Sequence, residues 1–261
     1  PKSAQIKDTL SLDEYNAICE RCDVSPERRL GYLRRLTDLG VTLYYGDEPR
    51  LELNVVLNPF WVTEGVYTII NHESLAAANG KFTIHQLRRV LPKSRYPMDK
   101  AIYILDMMRK FELCFVLDEQ QRHYLLPDLL PPQQPELPSF NREDALKFHF
   151  EYSVWQGMTL TRLIVRLNNY LIEDCYWRHG ALLQSFDKQN RALIIADEMD
   201  KRLRIWIDGK LDTRRNFLNR IREELNVIHG IQNNRVVKEW VITPDGGEVS
   251  YSFLVNLEEA K

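Results

Sequence analysis

The 261 residues, 44% hydrophobic and 28% charged, are enough to bury a sizeable core and exclude a disordered or fibrous chain. Lys and Arg total 35 against 37 Asp and Glu, so no whole-chain field favours nucleic acid or an anionic membrane. No apolar run reaches the roughly 18 residues that span a bilayer, the start has no secretory apolar segment, and four scattered cysteines make no disulfide framework, so a reducing, cytoplasmic setting is expected.

The opening Pro1-Lys2-Ser3, without an initiator Met, reads as part of a longer polypeptide. The first predicted helix is SLDEYNAIC (11–19), with Ser11 as its cap. Seventy-two positions later TIHQLRRVL (83–91) repeats it without a gap, pairing Ser11 with Thr83, Leu12 with Ile84, Tyr15 with Leu87 and Ile18 with Val90. At the same offset a second helix (26–39 and 98–111) recurs, with Tyr32 opposite Ile104, Leu36 opposite Met108 and Leu39 opposite Phe111. A period of two follows in VTLYY (41–45) and LCFVL (113–117), each with turn residues and a return strand near 51–55 or 123–126. Two helices closed by a two-stranded ribbon predict two winged-helix-like units over residues 10–130. Between the copies, Pro59 opens a helix with an apolar face of Trp61, Val62, Val66, Ile69 and Ile70, expected to wedge between the units; Gly65 inside it implies close backbone approach.

Four prolines from Pro131 to Pro138 mark an extended spacer and a domain boundary, giving domains 1–130 and 140–261 around a linker at 131–139. Beyond it, Leu146, Phe148, Phe150, Tyr152 and Val154 alternate as one face of a strand, and residues 159–172 return to helical spacing. Strands near 180–185, 191–196 and 202–208 predict an antiparallel meander. A helix over 213–229 carries Phe217, Leu218, Ile221, Leu225 and Ile228 between a Thr213 cap and a Gly230 stop, and two strands with a Pro-Asp-Gly-Gly turn fill 236–255. The fold class is therefore α+β: paired winged-helix-like units, then an antiparallel sheet with two longer helices.

Chemistry-bearing motifs are missing. Gly80-Lys81 lacks the glycine spacing of a phosphate-binding loop, Cys19-Glu-Arg-Cys22 lacks the second ligand pair of a zinc site, and the six histidines share no motif. No catalytic, cofactor-binding or metal-ligating residue is assigned. Winged helices raise a DNA-binding alternative, with Arg28, Arg29, Arg34 and Arg35 as phosphate contacts, but Glu27 and Asp38 share that helix and favour a solvated face.

LNPFWVTEGVYTII (57–70), YLLPDLLP (124–131), FHFEY (148–152), RLIVRL (162–167) and YWRHG (176–180) together resemble the COR domain of Roco proteins, COR standing for C-terminal of Roc, their Ras-like GTPase domain. The likeness runs from about residue 10 to the end and is greater to bacterial Roco proteins than to the animal leucine-rich-repeat kinases. It implies a non-catalytic partner of a Roc domain in the same polypeptide, with an N-terminal subdomain packed on that GTPase and a C-terminal subdomain forming a two-fold homodimer. It also implies that Tyr176, Trp177 and Arg178 face the GTPase domain. For the dimer, the 213–229 helix and the 236–255 hairpin are the expected surfaces, through Phe217, Ile221, Trp240 and Tyr251. Neither cofactor nor nucleic acid is expected on this chain.

Overall fold

A computed structural model describes residues 7–118, 120–232 and 236–259. It divides into two compact units, one of residues 1–111 and 116–124, the other of residues 112–115 and 125–261.

In the first unit the repeat is built from strand to strand. β1 (Thr9–Ser11) leads into α1 (Leu12–Arg21) through a reciprocal cap: the Glu14 amide donates to Ser11 Oγ at 3.1 Å and the Ser11 amide to Glu14 Oε2 at 2.9 Å. α2 (Pro26–Asp38) follows, and β2 (Asn54–Val56) pairs antiparallel with β1, Leu10 opposite Val55. α3 (Pro59–Ile70) and the short α4 (Glu73–Ala77) intervene before the second copy. There β3 (Lys81–Thr83) leads into α5 (Ile84–Val90) through the same reciprocal cap, Thr83 with Gln86, and α6 (Met98–Lys110) precedes β4 (Phe115–Asp118) and β5 (His123–Leu125). These last strands form a three-stranded sheet in the order β3-β5-β4.

The ribbon expected in the first copy does not form. Leu43 makes one isolated bridge to Val56, and the chain then winds through a turn in which the Leu51 and Glu52 amides both donate to Glu48 O. β2 pairs along one edge with β1 and on its other edge meets only Leu43, while Leu51 is buried in the returning segment. α3 starts at Pro59 as expected, and Gly65 is its point of closest approach. A Cβ there would lie 3.0 Å from Tyr96 Cε1 and 3.1 Å from Ile104 Cδ1. Trp61 stacks on Tyr96 at 5.1 Å, and Tyr96 Oη donates to Trp61 O at 2.8 Å.

The second unit is an antiparallel sheet of seven strands among the described residues. β6 (Leu146–Tyr152), α7 (Met158–Arg166), β7 (Leu171–Trp177), β8 (Gly180–Gln184), β9 (Asn190–Asp197), β10 (Arg202–Gly209), α8 (Leu211–Gln232), β11 (Val236–Ile242), β12 (Glu248–Ser250) and α9 (Tyr251–Glu259) follow in chain order. The spatial order is β12-β11-β6-β10-β9-β8-β7. Phe148, Phe150 and Tyr152 of β6 and Leu203 and Ile205 of β10 form the floor on which α7 and the apolar stripe of α8 pack. Burying one such side chain contributes about 1.5–3 kcal/mol, so this layer dominates the stability of the unit.

Three expectations change here. Leu171 and Ile172 belong to β7, because the helix stops at Arg166 and Asn168–Tyr170 form a 3-10 turn. Thr213 and Gly230 bound nothing: α8 begins at Leu211 and runs through Gly230 to Gln232. Residues 251–259 are helical, so the last strand ends at Ser250. Within the proline-rich segment, Pro131 O accepts the Arg178 amide at 2.9 Å, while Leu137 and Phe140 pack against the second face of the sheet with Cys175, Trp177, Leu182 and Leu193.

Candidate interaction surfaces

The YWRHG motif is a tight hairpin. Trp177 pairs with Gly180 across the turn Arg178-His179, and a Cβ at Gly180 would lie 2.3 Å from Trp177 Cζ2 and 2.6 Å from Ile194 O. The glycine therefore makes room for the indole. Tyr176 and Trp177 point to opposite faces and both are buried, Tyr176 in the core beneath the helices and Trp177 beside Cys175 on the other side. Of the three residues expected to face a GTPase domain, only Arg178 is exposed.

The four candidates for the dimer separate in the same way. Phe217 and Ile221 lie in the core under α8, so their stripe is occupied by the chain's own sheet. That corrects their expected place on a surface: a helix on a sheet turns its most apolar stripe inward. Trp240 and Tyr251 are half-buried. Trp240 Nε1 donates to Glu151 Oε2 at 3.2 Å, and the Lys238 ammonium lies over its ring, 5.4 Å from the centroid. Tyr251 lies beneath the Arg222 guanidinium at 3.9 Å and meets Phe148 edge-on at 5.6 Å, while Arg222 holds Glu239 at 2.6 Å. Arg222, Lys238, Glu239 and Tyr251 line an open cleft of about 500 Å³ between α8, β11 and α9.

α9 is fixed to α8 by a two-pronged pair, Arg215 to Glu258 at 2.7 and 2.6 Å. Its outer side carries Phe253 and Leu257, 55% and 47% exposed and one turn apart. Reading 251–255 as a strand hid this pair; the four-residue spacing of Phe253 and Leu257 was the available signal.

Several buried and half-buried ionisable groups meet one another. Arg166 bridges Glu112 at 2.5 Å and Glu224 at 2.6 Å, and Arg220 reaches the other oxygen of Glu224 at 2.5 Å. His229 is buried on α8 with Nε2 3.0 Å from Tyr152 Oη, and burial pushes its pKa down to about 4. His149 is likewise buried on β6, its pKa lowered first by burial and then by Arg202, with Glu248 3.7 Å from Nε2. Sequence spacing placed neither histidine in a core. Cys19 is buried near Tyr15 and Cys22 is exposed; among the described residues no three His, Cys, Asp or Glu side chains gather closely enough to hold a metal ion. Arg28, Arg34 and Arg35 lie exposed on α2, and Arg29 donates to Val24 O at 3.2 Å. Among the described residues no helix is long and apolar enough to cross a membrane.

The chain is a mixed α+β protein that carries half-covered aromatic and apolar surfaces. The comparisons with known proteins give the family. The COR-A model (C-terminal of Roc, COR-A domain) matches residues 2–130, and the COR-B model (C-terminal of Roc, COR-B domain) matches residues 143–261. The chain belongs to the Roco family and constitutes its COR domain. It is similar to a Roc-COR-CHAT protease of Runella zeae, 26% identical over 67% of this chain and 18% of that protein. It is also similar to the probable serine/threonine-protein kinase pats1 of Dictyostelium discoideum, 28% identical over 67% of this chain and 6% of that protein. It thus spans less than a fifth of the length of either relative. A solved structure of Methanosarcina barkeri Roco2 RocCORdC bound to GDP matches at 36% identity and a TM-score of 0.44, over 47% of this chain and 39% of that one.

Proposed function

We propose that this COR domain is the dimerisation and regulatory module of a Roco GTPase. Its N-terminal half packs on the Roc domain of the same polypeptide, its C-terminal half forms a homodimer, and bond chemistry is left to the Roc domain in the cytoplasm. The observation that carries this reading is the succession of COR-A and COR-B matches along the chain. Coupling then follows from linkage: a dimer with unequal affinity for the GTP-bound and GDP-bound forms shifts between them, whereas equal affinity shifts nothing.

The side chains assigned to the dimer shift with burial. Phe253 and Leu257 on α9 replace Phe217 and Ile221, with Tyr251 and Trp240 at the margin. A two-fold interface presents one patch from each copy, and exposed apolar pairs on an anchored helix suit such self-contact. Arg178 stays the proposed contact to the Roc domain, while Tyr176 and Trp177 hold the hairpin that presents it.

Light scattering on the 261-residue chain tests the dimer. The expected mass is twice the 30.9 kDa of one copy, falling to one copy in Phe253→Glu/Leu257→Glu. A monomer at every concentration overturns the dimer reading, and a dimer indifferent to the double substitution removes α9 from it.

A further inference from the structure

The two copies of the repeat differ in what covers their second helix. On α6, Ile104 and Met108 are fully buried; α3 packs on this helix, and its Gly65 lies against the Ile104 side chain. The same positions of the first copy are Tyr32 and Leu36, on α2. Tyr32 is 45% exposed, Leu36 is partly exposed, and Leu39, one turn on, is 76% exposed. Tyr32, Leu36 and Leu39 stand at i, i+4 and i+7, a continuous apolar stripe along one side of α2. Among the described residues α2 buries Leu33 alone, so its inward side is satisfied and this stripe is a second, uncovered one. Arg28 and Arg35 border it, both exposed and without an ion pair among the described residues.

We infer that the Tyr32-Leu36-Leu39 face of α2 is a docking site for one amphipathic helix, seated as α3 is seated on α6. The chain itself supplies the template for that geometry. The occupant needs an apolar stripe, a small residue where it crosses Tyr32, as α3 has Gly65 at Ile104, and carboxylates facing Arg28 and Arg35. Covering three such side chains removes a stripe of apolar area from water, which is the driving force, while the paired charges fix orientation. We assign the helix to the Roc domain, which rests on the reading of this chain as the partner of that domain.

Hydrogen exchange on the full-length parent polypeptide, compared with the 261-residue chain, tests the assignment. The amides of residues 30–39 are expected to exchange at least about tenfold more slowly in the parent. Tyr32→Glu/Leu39→Glu, at exposed positions, should return them to the rate of the isolated chain, and Met199→Glu, at a fully exposed turn, should not. If α2 exchanges equally in both while another surface of this chain is protected, the α2 site fails and the Roc partnership stands. If no surface is protected, both fail.

Discussion

α2 and α6 occupy matching places in a repeated unit, yet one is mostly exposed and the other is the best-buried helix of its unit. Both follow a capped first helix on a short strand, and both present an apolar residue at the same three outer positions. What separates them is a neighbour. α3 lies on α6 against Ile104, and Ile104 and Met108 are fully buried, whereas Tyr32 and Leu36 meet solvent. The identity of a side chain says that a surface can be buried; only the packing says whether it is.

The largest expected contrast comes from emptying the two stripes. Ile104→Ala and Met108→Ala remove fully buried side chains and leave cavities beside α6, each costing about 2–5 kcal/mol. Tyr32→Ala and Leu36→Ala remove atoms that are partly hydrated already, and each should cost less than about 1 kcal/mol. Urea unfolding of the four variants at equal m-value reads the difference. A Tyr32→Ala loss as large as that of Ile104→Ala would mean that α2 is already covered in the isolated chain, and the comparison would collapse.

Local signals carried much of this fold in the sequence. Ser11 with Glu14 and Thr83 with Gln86 announce helix starts because the side chains satisfy amides that the helix leaves open. The alternation from Phe148 to Tyr152 fixes one face of β6 in the same local way. Coverage is a long-range property, and there the reading failed. Phe217 and Ile221 looked like an interface because a stripe bound for its own sheet and a stripe bound for a partner have the same spacing. Residues 249–255 misled for a different reason: Val249, Tyr251, Phe253 and Val255 alternate like a strand, while Phe253 and Leu257 also fit a helix, and the shorter signal was followed. Nothing in the spacing of Tyr176 and Trp177 revealed that both are buried, because a buried strand and an exposed one share a period of two.

A smaller effect, with opposite signs in the two helices, comes from their glycines. Gly31 of α2 has nothing within 4 Å of where a Cβ would stand, so Gly31→Ala should stabilise by about 0.5–1 kcal/mol through helix propensity. Gly65 of α3 offers a Cβ only 3.0 Å from Tyr96 and 3.1 Å from Ile104. Overpacking there costs about 1–3 kcal/mol and outweighs the same propensity gain, so Gly65→Ala should destabilise. Thermal melts of both variants give the signs directly. A stabilising Gly65→Ala would show that α3 can lift off α6, and the template for a helix on α2 would lose its rigidity.

The smallest difference between the two copies is expected at their caps, and equality there isolates coverage as what separates them. Ser11→Ala and Thr83→Ala each delete one reciprocal cap, worth about 1 kcal/mol. The bonds are alike: the Ser11 amide reaches Glu14 at 2.9 Å and the Thr83 amide reaches Gln86 at 2.8 Å. Glu14 adds a carboxylate at the positive end of its helix dipole, held also by exposed Lys7 at 2.7 Å, whereas Gln86 is neutral. Burial on α6 does not strengthen the cap of α5, because both caps sit at exposed helix starts. Equal losses in urea would locate the difference between the copies in the layer above their second helices. If Thr83→Ala cost several times more than Ser11→Ala, the second copy would be the more stable one from its first turn onward, and the absence of a helix over α2 would no longer be the feature that distinguishes them.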